Sequence, residues 1–137
     1  SVDPAILIDG TIHRHSARHV AEALEKLDKE PGILIVGIPR DKDYKGVLET
    51  LAPLARKVIV TSTNRDDLKF PHDAPFVAKA FCPRVELIEE ASSAIQSGVE
   101  QQRREEWLAV VGTQSLVGEA EKYFRRARGQ QAKISKE

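Results

Sequence analysis

Residues Ala5–Ala17 read AILIDGTIHRHSA. A short apolar run ends in Asp9-Gly10, a polar loop with two histidines follows, and Ser16 offers a helix start. A buried strand opening through a loop into a helix is the unit from which α/β sheets are wound. The loop at the strand's C-terminal end is where such sheets bind ligands.

The rest of the chain repeats this unit. With Ser16 as N-cap, Ala17, Val20, Ala21, Leu24 and Leu27 recur at helical spacing, and the helix is expected to end near Lys29, before Pro31-Gly32. Ile33–Ile38 (ILIVGI) is apolar throughout, which predicts a strand covered on both faces, as in a parallel sheet between helices. Asp43 is placed to cap a helix bearing Tyr44, Val47, Leu48, Leu51 and Leu54, which Pro53 should kink or end. Lys57–Thr61 is a third strand. The polar stretch Ser62–Pro75, with Asn64, Asp66 and Asp67, is a long loop, and Pro75–Phe81 is a short helix. Arg84–Ile88 alternates, which predicts an edge strand. A helix over Ala91–Arg104 follows, with Gln101–Glu106 solvated. Trp107–Val111 is then a fifth strand running through Gly112-Thr113-Gln114-Ser115 into a last helix, with Leu116, Val117, Ala120, Tyr123 and Phe124 inward. Residues 1–124 are read as one α/β domain and 125–137 as a charged, frayed tail. The βαβαβαβαβα order predicts a three-layer α/β/α sandwich. Its sheet is mostly parallel and Rossmann-like, with five or six strands joined by right-handed crossovers.

Composition narrows the function classes. The 137 residues carry 21 Lys+Arg against 21 Asp+Glu, so no net field favours nucleic acid or an anionic membrane as partner. Apolar runs are strand-sized, far below the ~20 residues of a membrane helix. The single cysteine, Cys82, excludes an internal disulfide framework and points to a reducing compartment, the cytoplasm. The sequence contains no methionine, so it is read as a piece of a longer protein.

Two loops on the ligand edge carry candidate chemistry. Asp9 can accept two sugar hydroxyls or hold a hydrated metal, or it can cap its own turn. His13 can act as a donor, an acid or base, or a ligand. Thr113 and Ser115 follow a glycine at a helix start, a place for an anion or carboxylate, or for an ordinary N-cap. His13, His15 and His19 invite a metal reading, but His15 is expected to precede the helix and Arg14 and Arg18 repel a dication, so no metal site is expected. Neither G-x-G-x-x-G nor G-x-x-x-x-G-K-[ST] is present, so the chain has no triphosphate cradle of its own.

Taken together, three segments resemble one family: the strand with Asp9-Gly10, the segment from Gly37 through Asp41-Lys42-Asp43 to Leu48, and Gly112-Thr113-Gln114-Ser115-Leu116-Val117-Gly118-Glu119. The chain resembles the C-terminal domain of the Mur ligase superfamily, nearest to folylpolyglutamate/dihydrofolate synthases, over about Ile6 to Phe124. That pattern runs D-G-A-H-N-P-x-S-A, then D-K-D before a helix, then a V-x-V-T strand, then G-S-x-x-L-V-G-E. The resemblance implies an ATP-dependent amide-bond ligase working through an acyl phosphate. ATP and Mg would be held mainly by a central P-loop domain, over which this one closes with its small-molecule substrate. It further implies that Asp9 and Gly10 contact the nucleotide, that Thr113 and Ser115 face the amino-acid substrate, and that His13 is the catalytic candidate. Without the central domain no activity is expected. An ungapped alignment puts Thr11, Ile12, His13 and Arg14 where the family has Ala, His, Asn and Pro. Ile12 cannot exchange a proton. A non-catalytic binding or docking module is the alternative.

Overall fold

The computed structural model describes residues 5–62 and 69–136, the stretch 129–136 by its backbone alone. Asn64, Asp66 and Asp67, in the middle of the expected long loop, lie outside the described residues. Five strands, β1 (Ala5–Asp9), β2 (Glu30–Gly37), β3 (Lys57–Val60), β4 (Val85–Leu87) and β5 (Glu106–Gly112), alternate with five helices. These are α1 (Arg14–Lys26), α2 (Tyr44–Leu51), α3 (Ala74–Lys79), α4 (Ala91–Gln101) and α5 (Gln114–Lys136). The sheet order is β1-β5-β2-β3-β4, and every pairing is parallel.

The side-chain period of a strand explains the layers. In β2, Leu34 and Val36 point into one buried cluster with Ala17, Val20 and Leu24 of α1 and Val47 and Leu48 of α2. Ile33 and Ile35 point into the other, with Ala94 and Ile95 of α4 and Leu116 and Ala120 of α5. β5 divides in the same way, Trp107, Ala109 and Val111 against Leu108 and Val110. The expected α/β/α sandwich is therefore the observed one, with five strands among the described residues. β4 lies at one edge, as its alternation predicted, and β1 at the other.

The helix ends depart from the sequence reading in informative places. Asp43 caps α2, its carboxylate accepting from the Gly46 N–H at 3.1 Å. Pro53 ends that helix as expected, leaving a single 3-10 turn at Ala52–Leu54. Ser16, expected as the cap of α1, lies inside it. The cap is His13, whose Nδ1 accepts from the Ser16 N–H at 3.3 Å. Of the stretch Gln101–Glu106, Arg103, Arg104 and Glu105 are exposed as expected, but α4 already stops at Gln101 and Glu106 opens β5 with only 2% of its surface exposed. α5 runs on from the domain through the segment read as a charged tail, to Lys136.

Two glycines are required by close backbone approach. A Cβ at Gly32 would lie 1.7 Å from the Trp107 carbonyl oxygen. One at Gly112, which has φ +157°, would lie 2.1 Å from the Gly37 carbonyl oxygen. The second matters for function, because Gly112 lets β5 turn into α5 directly beside the end of β2.

Candidate functional site

In an all-parallel sheet every strand delivers its C-terminal end to one edge. Asp9 at the end of β1 is level with Val111 of β5, and Gly37 at the end of β2 is level with Gly112. The order β1-β5-β2 thus brings the Asp9-Gly10 loop beside the Gly112–Ser115 loop. The two loops touch: a Cβ on Gly10 would come within 2.8 Å of Gln114 Nε2, so the Gln114 side chain lies across Gly10.

Asp9 is exposed, and Thr11, buried beneath the loop, donates its hydroxyl to Asp9 Oδ1 at 2.5 Å. That bond fixes the carboxylate on the ligand edge. Asp9 does not cap a turn through backbone amides; the turn's own hydroxyl holds it. His13 is exposed and carries the α1 cap, with the Ser16 hydroxyl 3.4 Å from the same Nδ1. Ile12 turns the other way and packs, half-buried, against the core on the α1–α2 side. Thr113 caps α5, its Oγ1 accepting from the Leu116 N–H at 3.5 Å, while its own N–H donates to the Gly37 carbonyl at 3.3 Å. Ser115 sits half-buried in the first turn of α5. His15 lies within α1, not before it. Its ring centroid is 6.4 Å from that of His13 and 5.7 Å from that of His19. Among the described residues no three His, Cys, Asp or Glu groups converge to hold a metal.

Sequence reasoning missed three participants. Thr11 was unassigned, although a hydroxyl two residues after a strand-end aspartate is a usable signal. Gln114 had no signal, because its contact with Gly10 depends on the strand order. Arg14 enters the sequence reading as a repelling charge and at the family proline position, with no partner assigned. Its guanidinium forks onto Asp43, Nε to Oδ2 at 2.9 Å and Nη2 to Oδ1 at 3.1 Å, and holds the Asp43 carboxyl well below the usual carboxylate range. The Arg14 backbone N–H donates to the same carboxylate at 3.0 Å.

Among the described residues, the candidate positions line neither of two hollows in the surface. A hollow of about 250 Å³ on the same edge is lined by Ser62, Phe70, His72 and Glu89, beyond β2 from Asp9. His72 packs edge-on to Phe70 there, centroids 5.4 Å apart. The larger hollow, about 700 Å³, lies at the opposite end among Ala5, Asp28, Glu30 and Glu105 and touches none of the candidate residues. No described helix is long and apolar enough to cross a membrane.

Comparison with known proteins gives this arrangement its context. The crystal structure of folylpolyglutamate synthase from Thermotoga maritima is 27% identical, with a TM-score of 0.69 over 83% of this chain and 26% of that one. Folylpolyglutamate synthase from Mycobacterium tuberculosis, crystallised with ADP and AMPPCP, is 20% identical, with a TM-score of 0.72 over 87% of this chain and 29% of that one. A domain assigned to a UDP-N-acetylmuramate:L-alanyl-γ-D-glutamyl-diaminopimelate ligase of Haemophilus ducreyi is 16% identical. Its TM-score is 0.61 over 89% of this chain and 91% of that domain. No curated protein matches the chain. The chain thus spans about a quarter to a third of the synthases it resembles. The sequence profile described as "Mur ligase, glutamate ligase domain" matches residues 1–114, so the chain belongs to that family.

Proposed function

We propose that this domain is the closing lobe of a cytoplasmic ATP-dependent ligase that joins an amino acid to a carboxylate, of the folylpolyglutamate/dihydrofolate synthase type. One observation carries the reading. In a chain of this family, β1 and β5 are neighbours, so exposed Asp9-Gly10 and half-buried Thr113 and Ser115 share one sheet edge, and among the described residues they line none of the hollows. Such a surface suits a lobe completed by a second domain. ATP would supply the phosphoryl group that activates the carboxylate, and ATP and Mg would be held mainly by that second domain.

Within this reading the chain's own groups have distinct tasks. Asp9, held at Oδ1 by Thr11, accepts hydroxyls of the nucleotide ribose, and Gly10 allows close approach. Thr113 and Ser115 face the incoming amino acid at the start of α5, where the helix dipole favours its carboxylate. His13 presents its Nε2, since Nδ1 is engaged by the α1 cap. A second reading, a ligase-like module kept for docking, is favoured by Ile12. At the position of the family histidine it is committed to the core.

The test is Asp9→Ala in the full-length protein, assayed for ATP turnover with glutamate. Loss of a hydrogen bond to a charged group is expected to raise the KM for ATP about tenfold or more. The melting temperature should fall only modestly, by the one bond that the buried Thr11 hydroxyl loses. Unchanged ATP kinetics would sink the nucleotide role of Asp9. Absence of turnover in the unmodified protein would favour the docking module.

A further inference from the structure

We infer that Arg14 and Asp43 are positioning residues: their fork clamps the Asp9–His13 loop to the start of α2 and so fixes the face that loop presents to a ligand. The inference rests on the ligase reading only for its effect on ATP.

The argument starts from how many bonds converge on one carboxylate. Asp43 accepts from Arg14 three times, from the backbone N–H, Nε and Nη2, and from the Gly46 N–H once. Its own N–H returns a bond to the Ile12 carbonyl at 3.2 Å. Two loops 29 residues apart are thereby joined at two positions of the first, Ile12 and Arg14, on either side of His13. The sequence also leaves room for the fork. A Cβ on Gly46 would lie 2.5 Å from Arg14 Nε and 2.3 Å from Asp43 Oδ2. An exposed ion pair adds little to stability, and the Arg14 side chain is 55% exposed. What the fork supplies is placement. Arg14 is the first residue of α1, and the residue before it, His13, is extended at φ −150°, ψ 163°. Holding Arg14 therefore sets the direction in which His13 leaves the loop and the distance from Asp9 to α1.

Two substitutions separate placement from other roles. Arg14→Ala removes the two guanidinium bonds and loosens the loop, leaving the backbone N–H on Asp43. Arg14→Pro removes that N–H as well but restores stiffness by another route. Proline is favoured at the first helical position and requires an extended residue before it, which His13 already is. In the full-length protein, Arg14→Ala is expected to raise the KM for ATP about tenfold with kcat within about twofold, as for a misplaced binding group. Arg14→Pro should recover most of that loss. Amide hydrogen exchange at Gly10–His13, measured on the same proteins, should quicken in Arg14→Ala and not in Arg14→Pro. An unchanged KM in Arg14→Ala overturns the inference. So does an Arg14→Pro variant as impaired as Arg14→Ala, which would mean that stiffness at this position does not set the face the loop presents. If the unmodified protein shows no ATP turnover, the ligase reading falls and the exchange data judge the clamp alone. Faster exchange confined to Arg14→Ala then supports it, and equal exchange in all three proteins refutes it.

Discussion

The two ends of the sheet each carry an arginine forked onto a carboxylate, and burial makes them different devices. At the end where the strands begin, Arg56 donates through Nε at 2.5 Å and Nη2 at 3.0 Å to Glu106. The Glu106 side chain is 2% exposed and that of Arg56 21%. Arg56 also reaches the Gln101 carbonyl, and the Arg103 N–H donates to Glu106, so the buried charges are fully bonded. At the end where the strands stop, Arg14 and Asp43 are 55% and 29% exposed. The buried fork holds the core shut where α4 meets β5. The open fork ties two loops together on the edge that ligands use. The same chemical pair is a structural lock in one medium and a positioning clasp in the other.

Breaking the buried fork should have the largest effect. Glu106→Ala leaves the Arg56 charge in the protein without its partner and is expected to cost about 3 kcal/mol or more of unfolding free energy, as for other buried pairs. Urea denaturation measures this. A loss near zero would show that water reaches Arg56 and that the two ends are alike.

Acid should act on both forks. Burial pushes the Glu106 carboxyl up, but the Arg56 hydrogen bonds, aided by the Arg103 N–H, outweigh it and leave the group below its usual value. Asp43 is lowered chiefly by its bond to Arg14. A carboxylate depressed in the folded state contributes stability that is complete above its unfolded value, about 3.9 to 4.3, and is lost as pH falls through the folded value. The urea midpoint should therefore be flat near neutrality and fall below about pH 4. Glu106→Gln should fall less steeply over that range. Parallel curves for the two proteins would remove Glu106 from the account.

The smallest effect on stability is expected at the open fork. Arg14→Ala should leave the urea midpoint almost unmoved while altering the loop it holds. A large drop would make the open fork a structural lock as well, and the contrast between the two ends would disappear.

Much of this was legible in the sequence. Apolar runs of strand length, helical spacing between them, and caps such as Asp43 follow from local periodicity and local hydrogen bonding, and they appear where expected. The candidate residues Asp9, Gly10, Thr113 and Ser115 were legible as strand-end and helix-start residues, and all four stand on the ligand edge. The misreadings share a cause. The α1 cap falls on His13 and not Ser16, one residue before Arg14, which is bonded to Asp43, a partner 29 residues away. Glu106 was assigned to solvent because its partner Arg56 is 50 residues away.

By itself, the sequence determined the alternation of elements, the two-sided burial of β2 and the residue types at each strand end. These depend on period and composition within a few residues. The tertiary structure alone decided that Gln114 lies on Gly10, that Ile12 goes to the core while His13 faces out, and which arginine fork is buried. Each of these is set by strand order and crossover packing, which bring together groups whose separation along the chain carries no local signal.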